Sequence, residues 1–161
     1  EEIGFGTTHV TLEKLAGNVS PAPIVGYTLD GGGQGVIEDE TFSADAATVR
    51  FQGLNIHPSI AKGRMINAAR AAAQFVDLLP TDKLSPESTD GRNGFIHPYE
   101  IKGSVAEAQV SMILRDFETR KLMAYRDLIQ SLAKEVEVQF PGLKTHCEFR
   151  TQYRNMAEGI R

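Results

Sequence analysis

His57 stands in the run Gly53-Leu54-Asn55-Ile56-His57-Pro58-Ser59-Ile60-Ala61-Lys62-Gly63. An imidazole there can donate a hydrogen bond or carry a proton near neutral pH. Pro58 fixes its own backbone and biases His57 towards an extended conformation, so the ring stands on a defined loop. Gly53 and Gly63 bracket that loop and let it turn. The same spacing also suits a turn histidine that only packs its loop. A second set of reactive side chains is Glu1, Glu2 and Asp30. Adjacent carboxylates point in different directions along most backbones, so one can bind a metal while the other activates a water. An aspartate that ends a buried strand can reach the crevice where α/β sheets place ligands. Glu-Glu pairs are common and Asp-Gly is an ordinary turn, so neither motif identifies a site by itself.

The elements around these residues fall into two patterns. Residues 1–33 read as the tail of an α/β unit, with a short helix over 11–16 and a strand over 24–29 that is apolar on both faces. The glycines at 31–33 mark a boundary. From about residue 36 the pattern becomes a compact α+β module. Ala47, Val49 and Phe51 alternate with polar residues as a half-buried strand. Met65, Ala69, Ala72, Val76 and Leu79 repeat at helical spacing until Pro80. The stretch 81–94 reads as an exposed loop, and 95–102 as an edge strand, because Pro98 cannot donate to a ladder. Val110, Met112 and Leu114 give a third strand, and Leu122, Tyr125, Ile129, Leu132 and Val136 the stripe of a second helix. Alternation over 145–153 gives a fourth strand. The order β-α-β-β-α-β, with right-handed crossovers, predicts a four-stranded antiparallel sheet with both helices on one face, a ferredoxin-like arrangement.

Composition narrows the classes. A net charge of −4 and no dense Lys/Arg stripe give no reason to expect a nucleic-acid partner. No apolar run approaches membrane-spanning length. Cys147 is the single cysteine; an internal disulfide is impossible, and a reducing, cytoplasmic setting follows as the expectation. Its place in a strand pattern suits a buried, inert thiol. The chain opens Glu1-Glu2-Ile3-Gly4 without an initiator methionine, and is read as a piece of a longer protein.

Four motifs occur in order along the chain: Glu1-Glu2-Ile3-Gly4-x-Gly6, Tyr27-Thr28-Leu29-Asp30-Gly31-Gly32, Asn55-Ile56-His57-Pro58-x-x-Ala61-Lys62-Gly63 and Ile113-Leu114-Arg115-Asp116-Phe117. With Met65-x-Asn67-Ala68 and Tyr153-x-Asn155-Met156, this set resembles the peptidase T family. Those tripeptide aminopeptidases belong to the dinuclear zinc peptidases that also include carboxypeptidase G. The resemblance implies that Glu1 is the general base, that Glu2 and Asp30 are zinc ligands, and that 1–33 is a stub of the catalytic domain. It implies a lid and dimerisation domain over 36–152, with 153–161 starting the return to the catalytic domain. It further implies a homodimer in which His57 reaches into the partner's active site to stabilise an oxyanion. Arg115 would hold the peptide's C-terminal carboxylate, with Asn67 as a helper.

The family's His-x-Asp motif, bridging aspartate and late histidine are absent, and His9, His97 and His146 do not replace them. Neutral nitrogen ligands are what zinc sites normally require. The piece alone is therefore expected to be inactive and to hold no zinc pair. Two other classes share the β-α-β-β-α-β order, a non-catalytic small-ligand-sensing module and a purely structural dimerisation module.

Overall fold

The computed structural model describes Gly35 and residues 38–160. Glu1, Glu2 and Asp30, the expected helix over 11–16 and the strand over 24–29 lie outside the described residues. Alternating burial builds four strands, β1 (Ser43–Gln52), β2 (Phe95–Gly103), β3 (Glu107–Asp116) and β4 (Lys144–Tyr153). Two amphipathic helices join them, α1 (Ala68–Asp77) and α2 (Lys121–Gln139), and a short helix α3 (Ala157–Ile160) follows β4. The sheet is antiparallel throughout, in the order β2-β3-β1-β4. Pro98 does sit on an edge strand, where its missing N–H leaves no gap in the ladder.

Both helices cover the same sheet face. Val49, Phe51, Val110, Met112 and Leu114 are fully buried there against Ala71, Phe75, Leu122, Ile129 and Val136. The Phe51 and Phe75 rings lie 5.5 Å apart, and burying each side chain contributes about 1.5–3 kcal/mol. The buried stripe of α1 is Ala68, Ala71, Ala72 and Phe75, so Ala69 faces solvent instead of the core. The large Phe75 ring sets the helix rotation. The helix also begins later than the apolar spacing suggests, because Leu54 and Ile66 pair as an isolated bridge and Asn67 caps the first turn. No described helix is long and apolar enough to cross a membrane.

β1 starts before the apolar alternation does. Its first residues include Ser43 and Asp45, both fully buried. Arg126 of α2 donates to Asp45 Oδ2 from Nε at 2.9 Å, and Arg154 donates to Oδ1 at 2.9 Å. A carboxylate so deep is tolerable because two guanidiniums compensate it. Beside it, Thr41 N–H donates to Asn155 Oδ1 at 3.1 Å, Asn155 N–H to Ser43 Oγ at 2.8 Å, and Met156 N–H to Thr41 Oγ1 at 3.2 Å. These bonds clasp the segment leading into β1 to the segment leaving β4. Cys147 is half-buried, more open than its strand pattern suggests, and burial pushes its thiol above the ordinary range.

Candidate functional site

His57 is exposed on the loop after β1. It caps a 3-10 turn over Pro58–Ile60 with φ −54° and ψ 130°, the extended conformation expected of a residue before proline. Ser59 N–H donates to His57 Nδ1 at 3.3 Å, and Ser59 Oγ lies 2.7 Å from the same nitrogen. The two bracketing glycines have different reasons. Gly63 has φ +68°, which favours glycine. Gly53 instead permits close packing, because an added Cβ would lie 2.2 Å from Ile66 O. The proline was legible in the sequence, but Ser59 as the ring's partner was missed; the contact depends on the tight turn, which spacing alone does not signal.

Arg115 stands near the end of β3, directly opposite Phe95 on β2 and Ala44 on β1. Its neighbours Leu114 and Asp116 are buried on the helix side, so alternation turns Arg115 to the sheet face opposite α1 and α2. It is half-buried, and its Nε is buried without a hydrogen-bond partner among the described residues. An unsatisfied guanidinium N–H is costly unless a ligand or water completes it, and a carboxylate matches its fork. Asp116, next along, accepts from Tyr125 Oη and from Glu118 N–H at 2.8 Å. Burial and that bond push the Tyr125 phenol well above its ordinary range. This pair anchors the end of β3 that carries Arg115.

Asn67 Oδ1 accepts from Arg70 N–H at 3.1 Å as the N-cap of α1. Only its amide nitrogen remains free of that cap.

The structure does not bring His57 and Arg115 of one chain together. Arg115 pairs with Ala44 at one end of β1, whereas Leu54 lies just past the other end. That run covers about 33 Å at the rise of a strand. The chain from Leu54 to His57 can recover at most about 11 Å. The two backbones therefore lie roughly 20 Å or more apart. A cleft of about 660 Å³ opens at the sheet end away from Arg115, lined by Arg50, Gln52, Lys102, Gln109, Lys144 and His146 among others, and neither His57 nor Arg115 lines it.

Among the described residues no group of three or more His, Cys, Asp or Glu side chains converges to hold a metal. His97 and His146 sit on β2 and β4, at opposite edges of the sheet, and His57 Nδ1 is occupied by Ser59. The described residues do not fit a zinc pair.

Comparison with known proteins places this module. The chain is 39% identical to Peptidase T of Latilactobacillus sakei subsp. sakei, over 100% of this chain and 37% of that protein. It is 40% identical to Peptidase T of Parabacteroides distasonis, over 99% of this chain and 37% of that protein. The chain thus spans little more than a third of the length of these curated relatives. In fold it is similar to an aminopeptidase PepT from Bacillus cereus, with a TM-score of 0.62 and 14% identity over 73% of this chain and 31% of that one. A tripeptidase from Staphylococcus aureus gives a TM-score of 0.61 and 13% identity, with the same 73% and 31% coverage. The peptidase dimerisation domain matches residues 40–141, which contain the whole sheet except β4, both long helices, His57 and Arg115. The chain belongs to the peptidase dimerisation domain family.

Proposed function

We propose that this chain carries the lid and dimerisation domain, over 36–152, of a cytoplasmic zinc-dependent aminopeptidase that releases the N-terminal residue of tripeptides. Residues 1–33 and 153–161 belong to its catalytic domain in this reading. The observation that carries it is the separation of His57 and Arg115 within one chain. A tripeptide places its first carbonyl only about 7 Å from its C-terminal carboxylate. Arg115 leaves the sheet at right angles to β1, so its side chain does little to close that distance, whereas two copies related by a two-fold axis can bring one His57 and one Arg115 to the same substrate. His57 of one subunit then donates from Nε2 to the carbonyl oxygen as it becomes an oxyanion. Arg115 of the other holds the carboxylate through its guanidinium, whose Nε has no partner among the described residues, with the Asn67 amide as a secondary donor. A fixed clamp at a set distance from the reacting carbonyl selects peptides by length. Glu1 as general base, and Glu2 and Asp30 as metal ligands, rest on the resemblance alone, and the described residues supply no zinc site.

The test compares a tripeptide with its C-terminal amide on the full-length enzyme. Amidation should lower kcat/KM by roughly 10- to 100-fold, the value of a charge-assisted bond. Arg115→Ala should remove most of that difference. Equal cleavage of acid and amide by the unaltered enzyme would overturn the carboxylate clamp.

A further inference from the structure

The His57 ring is held by one nitrogen only. Ser59 N–H donates to Nδ1 at 3.3 Å, and the Ser59 hydroxyl stands 2.7 Å from it. A hydroxyl could serve either tautomer, but a backbone N–H can only donate. Nδ1 must therefore offer its lone pair. A neutral imidazole with a bare Nδ1 carries its hydrogen on Nε2. Pro58 has no N–H to compete for the ring, and the ring makes no other hydrogen bond among the described residues. The outward nitrogen of this exposed side chain is thus a donor. The opposite tautomer would present a lone pair to a developing negative oxygen and repel it.

We propose that Ser59 is a positioning residue that fixes His57 as the Nε2–H tautomer and aims that N–H outward for the oxyanion, an inference that rests on the proposed role of His57. Such a residue sets the direction of a hydrogen bond in the reaction without touching the substrate. Ser59→Ala removes the hydroxyl and leaves the backbone bond that selects the tautomer, so it loosens the aim of the ring without unfolding an exposed loop. Ser59→Thr keeps the hydroxyl.

The first test reads the tautomer directly, by nitrogen-15 NMR of the histidine-labelled chain at about pH 9, where an ordinary imidazole is neutral. In the unaltered chain Nδ1 should resonate as the bare nitrogen and Nε2 as the protonated one. In Ser59→Ala the same assignment should persist, because the backbone N–H that selects the tautomer remains. A protonated Nδ1 in the unaltered chain would overturn the proposal. In the full-length enzyme Ser59→Ala should lower kcat by roughly 3- to 10-fold with little change in KM, the size of one neutral hydrogen bond. Recovery in Ser59→Thr supports positioning. An unchanged kcat in Ser59→Ala would refute the positioning role. If instead His57→Ala leaves kcat intact while the NMR result holds, the role given to His57 fails and the tautomer assignment stands.

Discussion

Two impaired variants should make a competent enzyme when combined. His57→Ala alone should lower kcat by roughly 100- to 1000-fold, the effect of losing one oxyanion donor. Arg115→Ala should chiefly raise KM for tripeptides. Arg115 and the His57 loop occupy opposite ends of β1, and their backbones lie roughly 20 Å or more apart. In the proposed arrangement each site combines Arg115 of one subunit with His57 of the other. In a heterodimer of the two variants, one site receives both substitutions and the other receives neither. Its activity should approach about half that of the unaltered dimer, because a two-fold dimer has two equivalent sites. Unsorted 1:1 mixtures should reach about a quarter, since only half of the dimers are mixed. The assay is tripeptide hydrolysis, at substrate concentrations well below KM, by heterodimers purified through two different affinity tags. If both side chains served a site from the same subunit, every site in the mixed dimer would be defective. Activity no higher than the better parent would therefore refute the cross-subunit arrangement.

Three further outcomes follow from packing and charge. Asp45→Ala should destabilise the chain by about 3 kcal/mol in denaturant unfolding, because Arg126 and Arg154 lose their shared buried counter-charge; a loss below about 1 kcal/mol would mean that solvent already compensates them. Gly53→Ala should cost about 1–3 kcal/mol, since its Cβ meets Ile66 O at 2.2 Å and Val105 O at 2.8 Å, and an unchanged melting temperature would show that the backbone there yields freely. Tyr125 should resist alkaline ionisation in an ultraviolet titration, because its folded pKa is raised by burial and by Asp116. Its contribution to stability is full below about pH 10 and falls as the pH rises further, when the phenol of the unfolded chain ionises first. A Tyr125 that titrates with the exposed tyrosines would contradict the hydrogen bond to Asp116.

Most of the fold was legible because its strands and helices carry their burial in their spacing. Val110, Met112 and Leu114 alternate strictly, and they lie where alternation puts them, which also turns Arg115 to the face opposite α1 and α2. Strand β1 was legible only from Ala47, because a buried aspartate breaks the apolar pattern. The groups that make Asp45 acceptable, Arg126 and Arg154, stand 81 and 109 residues away in sequence. The stripe of α1 was misread at Ala69 because several alanines fit several rotations, and only Phe75 distinguishes them. At the candidate site, proline and glycine marked the His57 loop, but nothing in its spacing specified Ser59 as the ring's partner. The burial of Arg115 Nε depends on three strands meeting, which a linear pattern does not encode.

The clasp between Thr41, Ser43, Asn155 and Met156 also bears on how such a module sits in a longer polypeptide. Its bonds close a loop across 112 to 115 residues. Contacts that distant are entropically expensive to form first, so the sheet should organise before the clasp locks. Once it locks, the two ends of the module leave from one corner, side by side. In the proposed reading of the module as an insert, a host protein would meet it through two tethers held side by side at that corner. Asn155, whose side chain accepts from Thr41 and donates to Phe117 O at 3.1 Å, joins the tethers to the sheet, so force on either leg reaches the strand that carries Arg115.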